Sequence, residues 1–315
     1  MLTHTLKDIV NSLGTPNIGV VGDVMLDEWF HGEKYRSTME FGTPMDICDV
    51  TREEVSAGGA ANVANHLASL GANAYLFGVV GRDHYGRALQ ASCREKRVHT
   101  RLLEDSTRRT TVKTRVLYND SYTRFDRESR EPLLRGVRRR FLKLLKHHAP
   151  SIDYWIISDY LKGVISPKVV ATLCELGEVL VDPKGDEPLK YVQCNVIKPN
   201  VAEVSSLDTW ADVAPLIVTL GGKGVQVWID NQRITIPGWP VKCVDAVGAG
   251  DATVAGIAMG LCSSLVKSLP TPLRVVTAAS LGNAVGACSV TMQGTHQGVT
   301  RTNVLELLDT LEEVS

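Results

Sequence analysis

The sequence predicts an α/β protein, with a doubly wound, mostly parallel sheet, helices on both faces and a small separate β-sheet. Short continuous apolar runs recur at IGVVGD (Ile18–Asp23), AYLFGVVG (Ala74–Gly81), YWIISDY (Tyr154–Tyr160), VLVD (Val179–Asp182), VIKPN (Val196–Asn200) and LIVTLGG (Leu216–Gly222). Unbroken apolar strands suit a parallel sheet covered on both faces. Helical patterns fall between them. AANVANHLASL ends at Gly71 and Pro167–Leu176 ends at Gly177, each with glycine where a helix stops. Strand and helix in alternation give the doubly wound class. Two stretches break the alternation, Glu28–Val55 and Thr110–Arg127. They carry β-rich sequence such as TTVKTRVLY (Thr110–Tyr118) and YTRFDRE (Tyr122–Glu128), with Asn119-Asp120-Ser121 as a hairpin turn.

The expected division is therefore a main domain of residues 1–27, 56–109 and 129–315, and a β lid of residues 28–55 and 110–128. Such a lid can close over a ligand and exclude water. Its open sheet edges predict a homodimer through paired lids. In doubly wound sheets, ligands gather at the carboxyl ends of the strands. Asp23, Asp159, Asp182, Asn200, Gly221 and Gly222 stand just past strands and are expected on one rim.

A formal charge of −1 and an aromatic content of 6% exclude a bulk pull towards nucleic acid or an anionic membrane. The basic run GVRRRFLKLLKHH (Gly136–His148) places Val137, Phe141, Leu144 and Leu145 at helical spacing, so it reads as the solvated face of an amphipathic helix. Seven cysteines (Cys48, Cys93, Cys174, Cys194, Cys243, Cys262 and Cys288) with no CxxC pair fit neither a disulfide framework nor a zinc site. Most stand in apolar surroundings, as free thiols of a reducing cytoplasm do. MLTHTLKDIV lacks a signal-peptide core, and no apolar run is expected to approach the ~20 residues of a membrane helix. A cytoplasmic protein without a membrane partner is the expectation.

Four stretches offer chemistry. SAGGAANVA (Ser56–Ala64) lets backbone approach a ligand at Gly58 and Gly59, with Asn62 in the following first turn; it also reads as a tight loop before a helix. In KPNVAEV (Lys198–Val204) a helix is expected to begin near Asn200, with Glu203 on the same face; taken alone, the stretch is better read as a plain capping arrangement. TLGGKG (Thr219–Gly224) suits nucleotide phosphates or a β-turn and lacks Walker spacing.

VDAVGAGDATVAG (Val244–Gly256) leaves free N–H groups of Gly248, Ala249 and Gly250 at a positive helix end, where an oxyanion is stabilised. Asp251 in that first turn is expected to stay ionised, with a pKa too low to deprotonate a free alcohol. Phosphoryl transfer eases that mismatch, because a loose transition state lets the proton leave late. A mere helix-start residue is the alternative.

These stretches, in this order, resemble the PfkB/ribokinase family of carbohydrate kinases. GGAANVA (Gly58–Ala64) looks like the family's N-terminal signature and DAVGAGDATVAG (Asp245–Gly256) like its C-terminal one. Asn200 and Glu203 match its NxxE motif. Within the family the chain most resembles the heptose 7-phosphate kinase branch, through GDVMLDEWFHG (Gly22–Gly32), SDYLKG (Ser158–Gly163), VDPKG (Val181–Gly185) and TVKTRVL (Thr111–Leu117). The resemblance implies a ribokinase-like fold. It also implies ATP- and Mg²⁺-dependent transfer of the γ-phosphoryl group to the anomeric hydroxyl of D-glycero-D-manno-heptose 7-phosphate. Asp251 is then the base, with Gly248, Ala249 and Gly250 as the anion hole. Asn200 and Glu203 serve magnesium and phosphate, Glu203 through water, while Thr219, Gly221, Gly222, Gly224 and Asn283 lie near the nucleotide.

Asp23, Asp27, Gly58, Gly59 and Asn62 would hold sugar hydroxyls. Lys113, Arg115, Arg124, Lys162 and Lys184 lie in rim or flap segments and are candidates for the cations that a sugar phosphate needs and a neutral sugar does not; plain surface solvation is the alternative for each and is favoured for at least some of them. A monovalent cation such as K⁺ near Asp245 and the loop around Gly294 is a further implication. Two segments depart from the branch: RSTMEFGTPMDI (Arg36–Ile47) replaces a proline-rich flap, and Val204–Pro215 is short. No adenylyltransferase domain is expected before the chain ends near Ser315. The alternatives are a kinase of another sugar, sugar phosphate or nucleoside, or a degenerate sugar-binding protein. A dinucleotide-dependent oxidoreductase comes third, for want of GxGxxG after the first strand.

Overall fold

The computed structural model describes residues 2–118, 121–292 and 297–312. The expected turn at Asn119-Asp120 and the loop around Gly294 lie outside the described residues. Helix α1 (Leu2–Ser12) precedes β1 (Asn17–Gly22), and the chain then rises into β2 (Val24–Glu40) and β3 (Thr43–Gly59). It returns through α2 (Ala60–Ser69), β4 (Asn73–Gly81), α3 (His84–Glu95) and β5 (His99–Asp105). A second excursion makes β6 (Thr111–Tyr118) and β7 (Ser121–Arg127). Then follow α4 (Arg135–His148), β8 (Tyr154–Ser158), α5 (Pro167–Leu176), β9 (Val179–Asp182), β10 (Val196–Ile197), α6 (Leu207–Ala211) and β11 (Leu216–Thr219). The chain closes with β12 (Gly224–Ile229), β13 (Gln232–Pro237), α7 (Ala249–Cys262), α8 (Ser264–Lys267), α9 (Thr271–Val290) and α10 (Arg301–Glu312).

Among the described residues, nine strands form the main sheet in the order β13-β12-β11-β10-β9-β8-β1-β4-β5. From β11 to β5 the pairings are parallel, and β12 and β13 add an antiparallel edge. Successive residues point to opposite faces of a strand. Accordingly Val20, Ile156 and Leu180 enter one core, while Val21, Ile157 and Val181 enter the other. Covered faces are what unbroken apolar strands require.

Helix α9 corrects one expectation. It is 20 residues long and apolar enough by length and composition to cross a membrane. Its apolar surface has another use, since it packs along α7. A Cβ on Gly256 would stand 2.8 Å from Gly282 Cα, so small residues bring the two backbones together. The basic run forms α4 and buries Phe141 and Leu145. All seven cysteines are free; Cys93, Cys194 and Cys288 are buried, and Cys243 is exposed.

The second sheet has the order β3-β2-β6-β7. Its strands overrun the expected lid bounds, since β2 starts at Val24 and β3 reaches Gly59. The lid thus grows directly from the rim of the main sheet. Phe41 and Gly42 both adopt positive φ, 49° and 74°, in the two-residue turn between β2 and β3.

Candidate active site

The carboxyl ends of β1, β8, β9 and β10, the start of α7 and the root of the lid converge on Asp251. Gly248 caps α7 at φ 80°, a conformation that suits glycine. Ala252 N–H is already bonded to Gly248 O, whereas first-turn amides such as those of Gly250 and Asp251 have no intrahelical acceptor. Gly250 is exposed, and a Cβ placed on it would meet nothing closer than Lys198 Nζ at 3.6 Å. The Lys198 ammonium therefore stands close to the exposed start of α7.

Asp251 is 7% exposed. Its Oδ2 accepts from Asn62 Nδ2 at 2.7 Å and its Oδ1 from the Tyr160 hydroxyl at 2.9 Å. Burial, then the like charge of Asp182, raises its pKa to about 6, against the two donors and Lys198. The expectation of a low pKa from the helix start is overturned: desolvation outweighs the dipole. At pH 7 the group is still mainly ionised, yet far more basic than an ordinary aspartate.

Lys198 follows the two-residue β10 and is buried, with Nζ 2.8 Å from Asp182 Oδ1. Burial favours its neutral form, but Asp182 overrides burial and the net shift is upward. Asp182 is shifted upward by burial, with Lys198 opposing. This pair brings a fixed cation to the start of α7. Lys198 and Tyr160 were not singled out from sequence. The available signals were a lysine inside the otherwise apolar VIKPN run and a tyrosine just past β8.

The expected helix at Asn200 does not form. Residues 200–203 make a turn, and the next helix begins at Leu207. Glu203 Oε2 accepts from Asn200 N–H at 2.9 Å, and Asn200 Oδ1 accepts from Ala202 N–H at 2.9 Å. The capping contacts are thus made without a helix to cap. Glu203 Oε1 is bonded to Lys184 Nζ.

Thr219 ends β11, where its N–H donates to Pro199 O at 3.0 Å. Exposed Gly221 and Gly222 follow in a short 3-10 turn, with nothing within 4 Å of a Cβ added to either. Gly224, at φ 96°, is packed against Ile236 O. Asn283 Nδ2 donates to Pro237 O at 2.8 Å. Asp245 Oδ1 accepts from Val247 N–H at 2.9 Å.

The residues expected on the sugar divide into two groups. Asp23 is buried, and its carboxylate accepts from the N–H groups of Tyr160 (2.8 Å), Lys162 (3.0 Å) and Val164 (3.3 Å). These bonds anchor the loop after β8. Burial and then Asp159 raise its pKa to about 6, against those N–H donors. Asn62 is committed to Asp251. Asp27 bonds Arg115 Nη1 at 2.5 Å, and the guanidinium lies 4.5 Å from the Trp29 ring centre. A Cβ on Gly58 would fall 1.9 Å from Asp27 Oδ2, so glycine there makes room for this carboxylate. Gly59, at φ 58°, starts α2.

The cations also divide. Lys162 pairs with Glu128 at 2.6 Å, and Arg124 with Asp126. Lys113 Nζ lies 5.2 Å from the Tyr160 ring centre, and Lys184 Nζ lies 5.9 Å from it. Burial lowers the pKa of Lys113. Among the described residues, no carboxylate lies within ion-pair distance of Lys113, whereas Arg115, Arg124, Lys162 and Lys184 each have one.

The surroundings of Asp251 join a raised-pKa carboxylate, an exposed helix start and a buried ammonium, beside a second sheet that carries Lys113. Comparison with known proteins gives the family and the fold. The profile of the pfkB family carbohydrate kinases matches residues 16–302. The bifunctional protein HldE of Geobacter sulfurreducens is 33% identical over 317 residues, covering 92% of this chain and 64% of that protein. HldE of Helicobacter pylori (strain P12) is 33% identical over 267 residues, covering 77% and 58%. The chain thus spans less than two thirds of these relatives' length. Among solved structures, ribokinase from Giardia lamblia superposes with a TM-score of 0.72 at 15% identity, covering 94% of this chain and 100% of that one. Arabidopsis thaliana ribokinase complexed with ribose and ATP gives 0.69 at 19% identity, covering 94% and 99%. Both carry the same fold.

Proposed function

Because the chain belongs to the pfkB family of carbohydrate kinases, we propose that it transfers the γ-phosphoryl group of ATP to a sugar hydroxyl, with Asp251 as general base. The observation that carries this reading is the position of Asp251. It is a buried carboxylate with a pKa near 6, one residue from an exposed helix start and close to the ammonium of Lys198.

In this reading the acceptor hydroxyl meets Asp251, which takes its proton as the O–P bond forms. The bond from Pγ to the bridging oxygen breaks, and ADP leaves with the electron pair. The α7 amides and Lys198 hold the charge on the transferring group. Asn62 and Tyr160 keep the carboxylate in place.

Among the described residues there is no cluster of three or more metal-ligating side chains. Mg²⁺ needs none, because it is held by one or two carboxylates, water and substrate phosphates. Glu203, through water, and Asp182 have the right oxygen chemistry; the ion would neutralise phosphate charge. A K⁺ site at Asp245 is a further part of the proposal. Thr219 and the open Gly221–Gly222 turn suit the nucleotide, with Gly224 and Asn283 shaping that wall.

The substrate we propose is a sugar phosphate, D-glycero-D-manno-heptose 7-phosphate, phosphorylated on its anomeric hydroxyl. The sequence resemblance and the HldE relatives support it, and Lys113 is the cation best available for the distal phosphate. Arg115 and Asp27 would shape the sugar side, and Lys162 and Lys184 would join only by leaving Glu128 and Glu203. A cytoplasmic location is part of the proposal, in keeping with the free cysteines. Paired lids would make a homodimer, since β3 and β7 are open edges.

The test is ADP release with Mg-ATP across sugars and sugar phosphates. The expected result is turnover on a sugar phosphate, and a fall of ~10²–10⁴-fold in Asp251→Asn. Absence of turnover on every acceptor would refute the kinase reading. A preference for neutral sugars or nucleosides would refute the heptose phosphate.

A further inference from the structure

Tyr160 is built into the site from several directions. Its hydroxyl donates to Asp251 Oδ1 at 2.9 Å, and its backbone N–H donates to the buried Asp23 at 2.8 Å. Its ring is flanked by the ammonium groups of Lys113 and Lys184, both within cation–π range. Asn62 engages the other carboxylate oxygen, so two donors on two oxygens leave Asp251 one orientation.

We propose that Tyr160 is the positioning residue for the base: its phenol holds Asp251 Oδ1 towards the acceptor hydroxyl. This rests on the kinase reading above. A carboxylate oxygen accepts about two hydrogen bonds, so Oδ1 can carry the phenol and still meet a sugar hydroxyl. The phenol cannot replace the base. Burial, then the adjacent Asp251, pushes its own pKa far above the usual tyrosine value, so it remains a donor.

Four groups face Asp251 from the elements around it. Asn62 from α2 and Tyr160 from the loop after β8 donate to it. Asp182 at the end of β9 raises its proton affinity, and Lys198 after β10 lowers it. Removing only the Tyr160 hydroxyl leaves the other three in place. A purely structural role for Tyr160 would cost stability without moving the titration of Asp251.

The test is Tyr160→Phe, which keeps the ring and its cation contacts. Two readouts are taken on the full chain: the pH profile of kcat with the best acceptor, and the carboxyl ¹³C titration of aspartate-labelled protein, with Asp251→Asn identifying the resonance. The Asp251 midpoint and the acid limb of kcat are expected to rise by about one pH unit, the scale of one charged hydrogen bond. At pH 7 kcat should fall while KM changes little, with recovery at higher pH.

3-Fluorotyrosine placed at position 160 conserves the packing and strengthens the donor, so its midpoint should fall below that of the native protein. It serves as the deciding variant if Tyr160→Phe does not fold. Midpoints that stay put in the folded variants would overturn the proposal. Absence of turnover in the native enzyme would refute the kinase reading, and the ¹³C midpoints would still decide whether Tyr160 controls Asp251.

Discussion

Replacing Asp251 by asparagine should stabilise the protein at neutral pH while removing its activity. The folded state raises the carboxyl pKa from 3.8 to about 6. An acid with a raised folded pKa contributes stability below its unfolded pKa. That stability is lost as the pH climbs through 3.8 towards 6, because the unfolded chain releases the proton first. At ~1.4 kcal/mol per unit, the buried charge costs about 3 kcal/mol at pH 7. Asparagine carries no charge and can still accept from Asn62, but it confronts the Tyr160 hydroxyl with an amide; one weakened hydrogen bond costs about 1 kcal/mol. The net gain is then about 2 kcal/mol. With an unfolding entropy of ~2.1 cal/mol/K per residue, that raises the Tm of this chain by about 3 °C.

Urea unfolding of both proteins at pH 7.5, 6, 5 and 4 measures the difference, in which every other titrating group cancels. The gain should be full at pH 7.5 and gone at pH 4. A variant less stable than the native protein at pH 7.5, or a difference that does not vary with pH, would refute the burial argument.

Other outcomes test other parts of the site. Lys113→Met should raise KM for a sugar phosphate by ~10-fold or more and leave a dephosphorylated sugar unaffected, as a lost charge-assisted contact predicts; steady-state kinetics on the two acceptors separate the cases. Gly58→Ala puts a methyl group on Asp27 Oδ2 and should displace the Asp27–Arg115 pair. It is expected to cost about 1–3 kcal/mol in urea unfolding and to raise KM for the sugar more than it lowers kcat.

His66 is buried in α2, where Nδ1 accepts from Val299 N–H at 3.2 Å, and burial lowers its pKa from 6.5 to about 4. A base with a depressed folded pKa contributes stability above 6.5 that is lost as the pH falls towards 4, here about 3 kcal/mol. His66→Gln should flatten the acid side of the pH–stability curve, read by the same urea titration.

The architecture was legible because local pattern dictates it. Short apolar runs bounded by turn residues, such as YWIIS and VLVD, suit strands covered on both sides. Gly58-Gly59 before a helical pattern and Gly248–Gly250 before another marked two helix starts that later face each other across the site. Chain order and glycine spacing also carried the family resemblance.

The tertiary structure decided what depends on neighbours distant in the chain. Asp251 looked like a low-pKa helix-start carboxylate, and only its burial, with the like charge of Asp182, lifts its pKa to about 6. Asn62 and Asp23 looked like ligand contacts; the fold places Asn62 on Asp251, 189 positions away, and Asp23 on the loop after β8. Arg115, Lys162 and Lys184 read, like Lys113, as candidate cations for a phosphate, and packing ties each of the three to a carboxylate while Lys113 lies by an aromatic ring. Tyr160 and Lys198 had no motif to mark them. Hydrogen-bond register within a strand or helix is written into successive residues, whereas desolvation and charge pairing arise only where separate segments pack together. The sequence alone therefore determined the fold and the two glycine turns, and packing determined which side chains share the charge of the site.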